Sequence, residues 1–343
     1  MSKSKDEIYM QRALELAEKG LGVVSPNPMV GCVIVHDDKV IGEGWHEKYG
    51  EAHAEVNAIR KVKDKKLLKE STAYVTLEPC AHFGKTPPCA DLLVKHKLKR
   101  VVICNQDSFP LVNGGGIKKL KEAGIKVEVG VFSEEGRKLN KRFFTRVEKQ
   151  RPYVILKWAQ TADGFIAREN YDSKWISGEQ SRKLVHKWRS EEDAIWVGTN
   201  TAKHDNPKLN VRDWEGENPI RLVIDKHLTL NSDLHLFDQE IPTICYNLKK
   251  EGKEENLEWV KVREDKLLDD IFIDMRQRGI QSVFVEGGAF LIQSIIDQGL
   301  WDEARVFSSE TKFEKGIAAP ILKCDTEETR QIENDQLDIF YNQ

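Results

Sequence analysis

At 343 residues, with 40% hydrophobic and 32% charged residues, the chain has a soluble globular composition and exceeds the usual length of one domain. Its net charge of −3, without a basic block, argues against a nucleic-acid partner. No apolar run reaches bilayer-spanning length, and the polar start has no leader-like apolar core, so a cytoplasmic chain with no membrane partner is expected.

Residues 6–20 carry helical periodicity in Ile8, Ala13, Leu14, Leu16 and Ala17, ending at Gly20. Ser25-Pro-Asn-Pro28 is a turn, 30–35 an apolar strand, and His36-Asp-Asp-Lys39 a hairpin signal leading into Val40-Ile41. His53 opens a helix over 54–62, with Glu55 in its first turn. A strand over 73–77 ends on Glu78-Pro79-Cys80, and Cys89 opens a helix over 90–95. Strands at 101–104 and 127–129 bracket a helix over 117–123. Strands alternating with helices indicate an α/β layer architecture. A charged stretch over 146–152, closed by Pro152, predicts a boundary, giving domains 1–149 and 150–343. A second α/β pattern follows, with strands at 153–157, 193–197, 220–224, 243–246 and 282–285 and a helix at 289–296. The charged stretch 249–266 is expected to cover a solvated surface element.

Six cysteines (32, 80, 89, 104, 245 and 324) do not make a disulfide scaffold in a chain this long. Two of them form a chemical pattern. A catalytic zinc takes three protein ligands and keeps a fourth position for water. His53, Cys80 and Cys89 supply three donors of suitable softness, and Glu55 is left to carry protons. H-x-E followed by Pro-Cys and a second cysteine is the zinc-deaminase pattern, usually with C-x-x-C spacing. Here residues 81–88 separate the cysteines. Hydrolysis of an amidine or aminopyrimidine needs a nucleophile at neutral pH and protons for the ring nitrogen and the departing ammonia. Zinc brings the pKa of water near 7, and one carboxylate within reach can move the protons. Both ligand segments are predicted at helix N-termini, where the dipole favours thiolate. Two buried core thiols, or a structural zinc with His82 as fourth ligand, are the competing readings. Neither has a use for Glu55.

In the second half, Glu286-Gly287-Gly288 joins a predicted strand to an amphipathic helix. Two glycines there let backbone approach a pyrophosphate at the helix N-terminus. An ordinary tight turn has the same composition, and no G-x-G-x-x-G is present. Arg189 and Arg212 suit forked phosphate recognition, with surface ion pairs as the alternative.

Residues 1–150 resemble the deaminase half of the bifunctional riboflavin-biosynthesis deaminase/reductase family. The matching pieces are Ser25-Pro-Asn-Pro-Met-Val-Gly31, Gly42-Glu-Gly-Trp-His46, His53-Ala-Glu-Val56 and Pro79-Cys-Ala-His-Phe-Gly-Lys-Thr-Pro-Pro-Cys89. The long cysteine spacing separates this family from nucleobase and tRNA deaminases. The resemblance implies a cytidine-deaminase-like three-layer α/β/α domain holding zinc. It also implies a diaminopyrimidinone substrate with a phosphoribosylamino arm, placed against Asn27, His46, His82, Lys85 and Thr86. Lys85 and Thr86 would cradle the phosphate. Taken singly, each residue also reads as a turn cap, a surface histidine or a solvated loop group. Where the family has an Asp-Pro-Asn-Pro-like turn, this chain has Asp107-Ser-Phe-Pro110 and then Gly114-Gly-Gly116, so that loop is left out of the predicted site.

Residues 152–310 resemble the reductase half, with its dihydrofolate-reductase-like α/β fold; the resemblance weakens beyond. It rests on Leu156-Lys-Trp-Ala159, Asp163-Gly164, Trp175-Ile-Ser177, Gly198-Thr-Asn-Thr201, Asp205-Asn-Pro207, Leu209-Asn-Val-Arg212 and Val285-Glu-Gly-Gly288. It implies NADPH against Ala159, Trp175, Thr201, Asp205, Gly287, Gly288 and the rest of segment 288–294. It places Ser173, Arg189, Leu209, Arg212 and Glu286 on the substrate. Trp175 also reads as core and Asp205 as a turn cap. The expectation is a self-associating zinc hydrolase and NADPH-dependent oxidoreductase acting on a small molecule. It would remove the 2-amino group and then reduce the ribosyl arm to ribityl. The rival is a zinc nucleobase or RNA deaminase with a non-catalytic C-terminal domain.

Overall fold

Strand β1, Gly31–His36, shows how the first unit is layered in the computed structural model, which describes residues 3–83, 87–110, 112–173 and 176–342. Cys32 and Ile34 enter one apolar cluster while Val33 and Val35 enter another, the period-two consequence of the pleat. β1 pairs antiparallel with β2 (Lys39–Trp45) and β3 (Thr72–Leu77). β3, β4 (Arg100–Asn105) and β5 (Lys126–Val129) run parallel, giving the order β2-β1-β3-β4-β5. Helix α1 (Lys5–Ala17) buries Met10 and Leu14 on one face of this sheet. Helices α2 (Ala54–Lys61), α3 (Cys89–Lys95) and α4 (Gly115–Glu122) bury Ala58, Leu93 and Leu120 on the other. The result is three layers. Ser4 and Glu7 close a reciprocal capping box on α1, and its predicted last turn tightens into the 3₁₀ turn Glu18–Gly20. Helices α5 (Ser133–Leu139) and α6 (Lys141–Glu148), which the periodicity did not disclose, end this unit, Met1–Gln150.

The second unit, Arg151–Gln343, starts where Arg151 forks onto Asp302, whose carboxylate also accepts the Val154 N–H at 2.9 Å. Its central strands are β6 (Tyr153–Gln160), β8 (Ala194–Val197), β9 (Ile220–Ile224), β10 (Thr243–Asn247) and β13 (Ser282–Gly287), with β7 (Phe165–Ala167) outside the main sheet. The order β11-β12-β10-β9-β8-β13-β6-β14-β17-β16 adds β11 (Gly252–Glu254), β12 (Leu257–Lys261), β14 (Glu303–Ser308), β16 (Glu328–Ile332) and β17 (Asp335–Tyr341); β15 (Ile317–Ala318) pairs with β7. From β12 to β14 neighbouring strands are parallel. Helices α7 (Glu179–Glu191) and α8 (Thr199–Asp205) cover one face, and α9 (Leu267–Gln277) and α10 (Ala289–Asp297) the other.

Two segments add to the sequence reading. The charged stretch 249–266 is the expected surface element: within it β11 and β12 complete an edge, with β11 exposed and Leu257 buried. Beyond 310, β17 pairs antiparallel with β14 and buries Leu337 and Ile339. Among the described residues, no helix is long and apolar enough to cross a membrane.

Candidate functional site

His53 is the N-cap of α2, which places Glu55 in the first helical turn. The glycines of the Gly42-Glu-Gly44 motif bring that helix onto β2: an added Cβ at Gly42 would meet the Ala58 carbonyl oxygen at 2.4 Å, and one at Gly44 the Ala58 nitrogen at 2.4 Å. Cys80 follows β3, and Cys89 is the first residue of α3. Cys80 Sγ lies 3.7 Å from His53 Nδ1, Cys89 Sγ lies 3.3 Å from the same atom, and all three donors fall within 4.8 Å of one another. Bonds of about 2.0–2.1 Å to nitrogen and 2.3 Å to sulfur in a tetrahedron give nitrogen–sulfur edges of about 3.6 Å. The three donors fit zinc, and Glu55 is not among them.

The electrostatics agree with this donor set. The Cys80 thiol is drawn down to about 4, chiefly by the Cys89 side chain and then, against burial, by His53. The same contact, with burial, pushes Cys89 up. Two thiols in contact that share one proton are what a dication converts to a thiolate pair. Glu55 is 3% exposed; burial, and then the negative charge on Cys80, raise its carboxyl above the usual range. A raised carboxyl suits a group that must both take and give a proton.

His46 is buried edge-on to His53, with ring centroids 5.4 Å apart. Burial lowers its pKa, and a neutral ring fits its partners: Nδ1 donates to the Ala52 carbonyl at 3.2 Å and Nε2 accepts from Asn27 at 3.0 Å. Both His46 nitrogens are therefore engaged, and the contact fixes the Asn27 amide against the ring. His82 stands beside Phe109 with a buried Nδ1 that has no hydrogen-bond partner among the described residues. Lys85 and Thr86 lie outside the described residues. Asp107, absent from the predicted set, is buried near Cys80, and burial raises its carboxyl to about 6.

In the second unit an open cleft of about 1670 Å³ is walled by Ala159, Ser173, Thr201, Asp205 and Leu209. Arg189, Arg212, Glu286, Gly287 and Gly288 line it too; Trp175 lies outside the described residues. Ser173 Oγ sits 3.3 Å from each oxygen of Asp205, so one expected substrate residue touches one expected cofactor residue. Thr201 Oγ1 accepts the Gly288 N–H at 2.9 Å, and a Cβ on Gly287 would meet that oxygen at 2.8 Å. The N–H groups left for an anion are those of the following first turn of α10.

Arg189 and Glu286, expected separately on the substrate, are paired with each other. Nε–Oε1 is 2.5 Å, Nη2–Oε2 is 2.8 Å, and the remaining fork nitrogen reaches the Asn210 carbonyl at 3.0 Å. Burial opposes the Glu286 charge, but Arg189 outweighs it and holds the carboxyl below its usual range. Arg212 is exposed; its guanidinium donates to Asn210 Oδ1 at 3.3 Å and approaches Asp213 at 3.6 Å. Buried His186 accepts the Arg212 backbone N–H and faces Asp213 at 3.2 Å; burial, with Arg189 and Arg212, lowers it to about 4. Lys157, lining the cleft and lowered by burial, was missed by sequence reasoning. The available signal was a lysine inside the apolar run Tyr153-Val-Ile-Leu-Lys157.

Comparison with known proteins bears on both units. Residues 3–105 match the cytidine and deoxycytidylate deaminase zinc-binding region, and residues 152–309 match the RibD C-terminal domain. The chain is 41% identical over 324 residues to riboflavin biosynthesis protein RibD of Aquifex aeolicus, spanning 93% of this chain and 90% of that one. To the Escherichia coli protein of the same name it is 38% identical, spanning 88% and 87%. A crystal structure from Thermotoga maritima superposes with a TM-score of 0.90 at 36% identity, covering 98% of this chain and 99% of that one. That protein is described as a diaminohydroxyphosphoribosylaminopyrimidine deaminase/5-amino-6-(5-phosphoribosylamino)uracil reductase. Acinetobacter baumannii RibD superposes with a TM-score of 0.89 at 34% identity, covering 99% of each chain.

Proposed function

The chain belongs to the RibD family, and from that premise we propose how its residues divide the two reactions of riboflavin biosynthesis. It is a zinc-dependent deaminase and an NADPH-dependent reductase. The first unit hydrolyses the 2-amino group of 2,5-diamino-6-(5-phosphoribosylamino)pyrimidin-4(3H)-one; the second reduces the ribosyl group to ribityl. A nucleobase or RNA deaminase with an idle C-terminal domain is disfavoured by the match of residues 152–309 to the RibD C-terminal domain.

The convergence of the His53, Cys80 and Cys89 donors, with Glu55 buried beside them but outside the set, carries the deaminase assignment. Bound zinc would supply a water whose pKa lies near 7. Glu55 takes one proton of the attacking water and gives it to the ring nitrogen, then takes the proton of the new hydroxyl and gives it to the amine, so that the C–N bond breaks as the carbonyl forms and ammonia leaves. Asn27, oriented by His46, faces the ring, and His82 Nδ1, unpaired among the described residues, is a further polar contact. Lys85 and Thr86 keep their expected place on the phosphate.

In the second unit, NADPH supplies the hydride when bound. Gly287 keeps the β13–α10 junction free of side-chain bulk, and the first turn of α10 receives the pyrophosphate. Ala159, Thr201 and Asp205 line the cofactor side, and Trp175 keeps its expected place on the cofactor. Ser173 and Leu209 line the substrate side, and the Ser173–Asp205 contact is the place where the two ligands meet. Arg212 takes the substrate phosphate; Arg189, forked onto Glu286, contributes charge and shape to the wall. Cytoplasmic localisation and self-association belong to the same reading. The test is to measure zinc content, ammonia release and NADPH oxidation on the synthetic substrate. A zinc-loaded chain that releases ammonia but does not oxidise NADPH would remove the second activity.

A further inference from the structure

Glu78, two residues before Cys80, is 4% exposed, and its carboxylate is held by backbone groups. Oε1 accepts the N–H of Gly116 at 2.9 Å and of Ile117 at 3.1 Å. Oε2 accepts those of Gly114 at 2.9 Å and Asp107 at 3.3 Å. Three of these donors belong to the start of α4, whose unpaired N–H groups and dipole favour an anion. The Glu78 N–H itself donates to the Asn105 carbonyl at 2.9 Å, which ties the end of β3 to β4. Pro79 adds a steric constraint: a Cβ on Gly116 would come within 1.9 Å of its carbonyl oxygen. Glu78-Pro79-Cys80 is thus pressed onto the 107–117 loop by charge and by shape.

We infer that Glu78 is a positioning residue of the deaminase site. It sets the Cys80 thiolate for the metal and ties the divergent loop that carries Asp107 and Phe109 to the same centre. The inference rests on the zinc reading of His53, Cys80 and Cys89. A glutamine at position 78 keeps the shape but turns one oxygen into an N–H₂ group, so that donors face donors at two of the four contacts. Aspartate keeps the charge but is one methylene shorter and reaches fewer of the four. Gly116→Ala displaces the Pro79 carbonyl and leaves the carboxylate intact.

The experiment uses the full chain, zinc-loaded, as wild type, Glu78→Gln, Glu78→Asp and Gly116→Ala. Zinc release to a colorimetric chelator is timed, and ammonia release is followed with and without added zinc. NADPH oxidation on the deaminated substrate checks the second unit. Glu78→Gln and Gly116→Ala should release zinc about 10–100-fold faster, the scale of lost outer-shell support. Glu78→Asp should fall between them and wild type. Added zinc should restore part of the ammonia release, and NADPH oxidation should not change. Wild-type zinc release and KM in Glu78→Gln, with only a lower melting temperature, would reduce Glu78 to a structural clasp and overturn the inference. If Glu78→Gln does not fold its first unit, wild-type zinc release in the other two variants overturns it equally. A wild-type chain that holds no zinc removes the metal reading itself, and this inference with it.

Discussion

His53, Cys80 and Cys89 bring their donors within 4.8 Å of one another, whereas the cleft of the second unit is walled by side chains from Lys157 to Ile321. The first site comes from two short stretches, 53–55 and 80–89, each placed by the start of a helix. The second comes from the ends of parallel strands and from connections far apart in the chain. A metal ion requires its donors at fixed bond lengths, so the supporting sequence is short and its spacing rigid. A dinucleotide and its substrate spread over a large surface, so topology can gather their contacts from anywhere. The teaching is that the tolerance of a site follows the size of what it holds. Substitutions should therefore act sharply and locally in the first unit, and through neighbours in the second.

The largest effect is expected at Glu55. Glu55→Gln should retain stoichiometric zinc while ammonia release falls about 10²–10⁴-fold, the range of lost general acid–base catalysis. Metal analysis beside turnover decides this, and metal loss would make Glu55 a ligand. Next comes the buried Arg189–Glu286 pair, whose side chains are 11% and 8% exposed. Arg189→Ala leaves a buried carboxylate uncompensated and should destabilise the second unit by about 3–5 kcal/mol. Adding Glu286→Gln should recover much of that loss, as read by denaturant unfolding, and ammonia release should persist in both variants.

Smaller and more selective effects should separate the two ligands of the cleft. Gly288→Asp puts a negative charge where phosphate approaches and should weaken NADPH binding about tenfold or more, with deaminase turnover unchanged. Arg212→Ala should instead raise the reductase KM for the phosphorylated substrate and spare NADPH affinity. The reverse pattern in titrations of both ligands would exchange the two pockets. The smallest effect concerns His186, lowered in the folded chain from 6.5 to about 4. The unfolded chain binds its proton first as pH falls, so His186 contributes stability above about 6.5 that is lost progressively toward 4. His186→Gln should flatten the acid limb of the second unit's unfolding profile in that window.

Much of the architecture was open to a reader of the residues alone. Val33 and Val35 against Cys32 and Ile34 announce a strand covered on both faces, and His53 and Cys89 at helix starts announce two ligand segments aimed at one point. Helices α5 to α9 are not legible in the sequence: α6 and α7, for example, hold their apolar residues among charges whose role depends on the neighbouring layer. Strand β17, with its charges at 335 and 338, shows a buried face only once β14 lies beside it.

What the sequence by itself determined is the class of architecture and the local chemistry of the first site. Periodicity, helix starts and metal-donor spacing are properties of short segments, set by backbone geometry and fixed bond lengths. Only the tertiary structure decided that Arg189 faces Glu286 across 97 residues, that Lys157 is carried into the cleft, and that Glu78 lies against the start of α4. Each of these depends on which desolvated group meets which partner. No local pattern encodes that, because the cost of burying a charge is settled only by what stands opposite it.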